Sequence, residues 1–250
     1  MNRTAPPDPA ADGSTGTDRR PTGAPANGGR TVDGNDVRRG AGPGGPGALE
    51  RVRAATAAAH ERLDAGLDVL QRPWTLDVHR QWLSLTWGLL APLERGLAAW
   101  AAADPGALDV RERARADLAR ADLRELGVDD AELAALAECP DVPVPTTRAA
   151  ALGVCYVLDG STLGGRLIAR AAVAAGVPPR ACTSLTGREG SGRRWKDTTA
   201  ALNAVDDDAV DEISDVATAT FTAYERWLAP LSARRTPPAG SAGFPAAKPT

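Results

Sequence analysis

The chain contains two histidines, so any imidazole chemistry must use His60 or His79. His60 stands in a segment, residues 49–70, whose apolar positions recur at helical spacing. With Leu49 at 0° and about 100° per residue, Val52, Leu63, Leu67 and Leu70 share an arc of about 60°, and His60 falls at about 20°. An imidazole at the edge of such a stripe is expected to project toward the core, beside whatever packs there. Arg53, at about 40° and two turns earlier, sets a cation on the same side. Two readings stay open: a core histidine satisfied by a backbone carbonyl, or a ligand-binding or proton-carrying group. His79, among Asp77, Arg80 and Gln81 at the start of the next helix, reads as a solvated surface position.

Gly160, Gly164 and Gly165 lie within residues 156–166, inside what the flanking Ala, Leu, Ile and Val define as one long helix near 146–175. Each interior glycine costs a helix about 1 kcal/mol relative to alanine. Something is therefore expected to press close against this backbone. It could be a neighbouring helix packed through Gly160 and Gly164, or a flat ligand lying on a kinked helix poor in side chains. A transmembrane dimer motif is excluded because Asp159, Arg166 and Arg170 interrupt the apolar run.

The positioning elements follow from composition and pattern. Of 250 residues, 43% are hydrophobic, enough to bury one core. The net charge of -3 leaves no basic footprint, which argues against nucleic acid or an anionic membrane as partner. No apolar run has transmembrane length, and residues 1–20 lack the stretch of a secretory signal, so a cytoplasmic location is expected. Cys139, Cys155 and Cys182 are unevenly spaced and read as buried free thiols, not a disulfide framework or zinc site. Residues 1–47 and 233–250, rich in Gly, Pro and Ala, read as disordered tails around an all-α domain at 48–232. Helices are expected near 49–70, closed by Pro73, and near 76–103, 108–126, 130–138, 146–175, 192–204 and 207–232. The acidic run Asp206-Asp207-Asp208 lacks the spacing of a calcium loop and reads as helix capping.

One imidazole on one helix and a glycine-opened helix elsewhere are what a haem held between two helices would need. The histidine supplies one axial bond, the glycines admit the opposite face, and cations at the mouth balance the propionates. Residues 53–63 resemble the proximal-helix segment of haem oxygenases. Residues 156–166 resemble the distal helix of their bacterial, biliverdin-producing branch, with its pattern Tyr-Val-x-x-Gly-Ser-x-Leu-Gly-Gly. Weaker similarity is carried by residues 82–94, ending in Ala91-Pro92-Leu93-Glu94, and by Thr220-Phe221 and Trp227-Leu228 in the last helix. The similarity spans about residues 48–232.

The resemblance implies a haem oxygenase-like helical fold and the O₂- and electron-dependent opening of haem to biliverdin, CO and Fe²⁺. It implies that His60 binds iron, that Gly160, Gly164 and Gly165 line the distal face, and that Arg53 and Lys196 approach the propionates. Ser161 departs from the many members that carry aspartate directly after the first glycine, where it orders a proton-delivering water. Asp159 is one residue displaced, about 100° around the helix. With no nucleotide fingerprint in the chain, electrons are expected from an external ferredoxin or flavin reductase, and a phytochrome would be a fitting acceptor of the biliverdin. Two other readings stand beside this one. The first is a non-catalytic haem carrier or sensor of the same fold. The second is a helical relative of thiamine-salvage proteins, with Cys155 as nucleophile.

Overall fold

Helix is the dominant regular structure in a computed structural model that describes residues 45–69, 72–103 and 109–233, and no strand occurs among them. Of the expected tails at 1–47 and 233–250, residues 1–44 and 234–250 lie outside the described residues. In chain order the helices are α1 (Ala48–Leu67), α2 (Leu76–Ala103), α3 (Ala116–Glu125), α4 (Asp130–Ala134), α5 (Arg148–Ala174), α6 (Thr183–Thr186), α7 (Ser191–Leu202) and α8 (Ala209–Ala233). Single 3₁₀ turns at Arg111–Arg113 and Pro179–Ala181 precede α3 and α6.

α5 is the central element. Its N-terminal half is buried almost all round, from Ala150 to Asp159, and Thr147 caps it by accepting from the Ala150 N–H at 3.0 Å. α8 lies along one side of α5, α6 and α7 along another, and α1 lies outside on α8. The α5–α8 contact depends on Gly153, where a Cβ would come within 2.7 Å of the Ile213 carbonyl. α2 packs on α3 and α8. Pro92 within α2 has no N–H to offer the Gly88 carbonyl one turn back. That carbonyl accepts instead from the Cys139 N–H at 2.8 Å, which pins the segment after α4 onto α2. α1 and α5 both lean on α8 and leave a cleft between them.

Several expectations need correcting. α1 ends at Leu67, well before Pro73, because Asp68 turns the chain with φ 43°; Leu70 lies outside the described residues. The expected helix 108–126 is divided: Ala114 is extended between the 3₁₀ turn and α3. The Glu94 carboxylate receives the freed Arg115 and Ala116 N–H groups at 2.7 and 3.1 Å, a cap supplied from α2. α4 stops at Ala134, and the short α6 was not expected at all. α5 continues as one helix through all three glycines, so the expected kink does not break it.

Acidic residues just before α8 and in its first turn bind α1. Asp207 and Asp211 hold Arg51 of α1 at 3.0 and 3.3 Å, and no group of metal-ligating side chains forms among the described residues. No helix among them is long and apolar enough to cross a membrane. All three cysteines are buried and free.

Candidate functional site

The cleft between α1 and α5 encloses about 510 Å³, within the range of small-molecule and cofactor sites. α1 supplies Arg53, His60 and Asp64, while α5 supplies Tyr156, Gly160, Ser161, Gly164 and Gly165. The floor comes from α8 through Phe221, Tyr224 and Leu228, and the inner wall from α2 through Trp82 and Thr86. Residues separated by about a hundred positions in sequence thus meet because both helices rest on α8.

His60 is not buried, as its place on the stripe suggested: its side chain is 56% exposed. The edge of the stripe opens on the cleft instead of on the core. The ring is fixed on two sides, by Phe221 edge-on at 5.3 Å and by Asp64, whose carboxylate lies 3.1 Å from Nδ1. A carboxylate on Nδ1 favours the tautomer in which Nε2 carries a free lone pair, the arrangement found behind most metal-bound histidines.

The three glycines divide into two kinds. Gly165 is there for packing, since a Cβ would overlap the Leu185 carbonyl at α6. A Cβ at Gly164 would meet nothing within 4 Å, and one at Gly160 only the Trp195 ring at 3.5 Å. Gly164 therefore leaves bare backbone on the cleft. Leu163 and Leu167 beside it are 46% and 47% exposed and line the same cleft, a patch of apolar surface that a flat apolar ligand would cover.

Arg53 lines the mouth. Lys196 is exposed and is not among the lining residues; its neighbour Trp195 takes that place, packed against Tyr156 at 5.7 Å. Asp159 faces the opposite side of α5, where it pairs with the buried Arg113 and accepts from the Thr198 hydroxyl at 2.7 Å. It cannot serve the cleft. Cys155 is fully buried outside the cleft lining, and burial pushes its thiol up to about 11, which removes it as a nucleophile.

Two residues differ from the sequence reading most. His79 is fully buried, not solvated. Its Nε2 lies 2.7 Å from the Ala181 carbonyl and 3.7 Å from Cys182 Sγ, and Nδ1 has no partner. Burial lowers its pKa against the opposing pull of that carbonyl and of Asp122. Arg115, which no local pattern separates from Arg111 or Arg120, reaches the cleft from the break before α3. Its guanidinium donates to Leu158 O at 3.1 Å, Ser184 O at 3.2 Å and Ser161 Oγ at 2.7 Å. Tyr224 lies against the same group; burial pushes its phenol up, opposed by the Arg115 cation and the Ser161 hydroxyl.

No protein-family model and no curated protein matches this chain. The class of site therefore rests on its own chemistry: an apolar cleft with one tethered imidazole on one wall and bare helix backbone on the other.

Proposed function

We propose that the chain is a haem oxygenase, opening haem to biliverdin, CO and Fe²⁺ with O₂ and with electrons from an external ferredoxin or flavin reductase. One observation carries this reading: His60, tethered through Nδ1 to Asp64, stands across a cleft from Gly160 and Gly164. Haem brings the reactivity toward O₂, and the chain's part is to bind, orient and shield it.

In this reading His60 Nε2 would hold the iron, and Asp64 on Nδ1 would keep the ring in the tautomer that leaves Nε2 free. An imidazole is a milder donor than the thiolate that promotes O–O cleavage, which suits attack on the macrocycle itself. Gly160 and Gly164, lining the opposite wall without side chains, would let a flat ring lie close to α5. Leu163, Leu167 and Leu228 line the cleft and would cover an apolar ring system against water. Arg53 at the mouth would pair with a propionate. Lys196, set away from the lining, has no direct part in this arrangement.

The test is the absorption spectrum of the protein with one equivalent of haemin, followed in air after addition of ascorbate or a ferredoxin system. A Soret band that decays while a biliverdin band grows supports the enzyme. A Soret band that persists identifies a carrier or sensor instead. Absence of any haem spectrum overturns the reading of the cleft.

A further inference from the structure

Ser161 lines the cleft beside Gly160, and its hydrogen bonds limit what it can do. A hydroxyl has one proton to give. Ser161 gives it to the Leu158 carbonyl at 2.8 Å and accepts from Arg115 Nη2 at 2.7 Å. Tyr224 meets the same hydroxyl, so Ser161 has no proton to spare for the cleft.

Arg115 has the opposite character. It is 6% exposed, it lines the cleft, and the three hydrogen bonds of its guanidinium all go to neutral oxygens. A guanidinium carries five N–H groups, so donors remain after those three bonds. The nearby Glu94 carboxylate offsets part of the cost of burying this cation, yet the head group itself bonds only neutral oxygens, and a hydrophobic contact would serve the fold at least as well. The structure nevertheless holds it firmly. Glu94 fixes the Arg115 backbone by accepting its N–H, while α5 and α6 fix the head group.

We propose that Arg115 is the hydrogen-bond donor and positive charge on the glycine side of the cleft, with Ser161 serving it as an acceptor. This inference rests on haem occupying the cleft. A water or anion bound on that face would be stabilised in its anionic form by Arg115, which Ser161 helps to hold in place. The other ionisable groups around the site are Glu94 on α2, Asp122 behind Ser184, Tyr156 on α5, Tyr224 on α8, and His60, Asp64 and Arg53 across the cleft.

The experiment is a spectrophotometric pH titration of the ferric haem complex, following the change from acid to alkaline spectrum, with azide affinity measured alongside. Arg115→Gln is expected to raise the midpoint by about one pH unit and weaken azide about tenfold, because a nearby cation has been removed. Arg115→Lys, which keeps the charge, recovers at least about half of that shift. Ser161→Ala moves the midpoint by less than about 0.3 unit and leaves azide affinity within about twofold, since no donor is lost. A haem complex in which Arg115→Gln leaves the midpoint unmoved overturns the proposal while the functional reading stands. Wild-type protein that takes up no haemin overturns that reading and the proposal with it. Should Arg115→Gln not fold, the azide affinity of Ser161→Ala decides alone: a tenfold loss makes the serine the donor and refutes the assignment.

Discussion

His60 and His79 sit on successive helices and have opposite surroundings. His60 is half-exposed, tied to a carboxylate and open to a cleft, whereas His79 is sealed between α2 and the turn before α6 with one nitrogen unpartnered. The helical stripe suggested the reverse, His60 inward and His79 in solvent. The difference teaches that an imidazole available for a ligand is one whose second nitrogen is fixed while its first faces space. Full burial marks the histidine that holds the fold.

The comparison can be broken most sharply at His60. His60→Ala should lower haemin affinity more than about 100-fold, as read by Soret titration, and leave the urea midpoint nearly unchanged because the side chain is largely exposed. Unchanged affinity and Soret position in this variant would sink the axial assignment.

The glycines offer the next contrast. Gly165→Ala should destabilise the fold by about 1–3 kcal/mol in urea unfolding, because its Cβ has only the Leu185 backbone to meet. Gly164→Ala should leave stability equal or raise it by up to about 1 kcal/mol while reducing haem affinity. Equal effects on folding would erase the distinction between a packing glycine and a cleft glycine.

His79 gives a pH effect with a definite sign. Its folded pKa lies below the ordinary 6.5, so below pH 6.5 the unfolded chain takes up a proton that the folded protein resists. Stability should therefore be full above pH 6.5 and fall progressively as pH drops toward the folded pKa. Urea midpoints at pH 7.5 and 5.5 should differ more in wild type than in His79→Gln; an equal difference would show that the buried imidazole is not responsible.

The smallest effect is expected at Arg53. Arg53→Ala should weaken haemin binding only about two- to fivefold, as befits an exposed charge at the rim, and this loss should shrink in high salt.

Much of the fold could be read from residue order alone. The spacing of alanine and leucine marks the long helices α2, α5 and α8 within a few residues, and Pro and Gly clusters mark most of the connections. The divided segment before α3 was not legible, because the cap that stabilises it, Glu94, comes from another helix. For the same reason Arg115 could not be distinguished from the other arginines around it. Among the candidate site residues, Arg53, His60, Gly160, Ser161, Gly164 and Gly165 do meet in one cleft, while Lys196 stays outside its lining.

The sequence by itself determined that the chain forms helices, that one imidazole and one glycine-rich helix are the unusual features, and that cysteine chemistry is not prepared by any paired motif. These are consequences of local periodicity and residue type, which act within a few turns. Only the tertiary structure decided which glycine meets a carbonyl and which meets open space, which histidine is sealed, and which arginine faces the cleft. Those outcomes depend on what a neighbouring helix places opposite each residue, and a helix carries no local record of its neighbour.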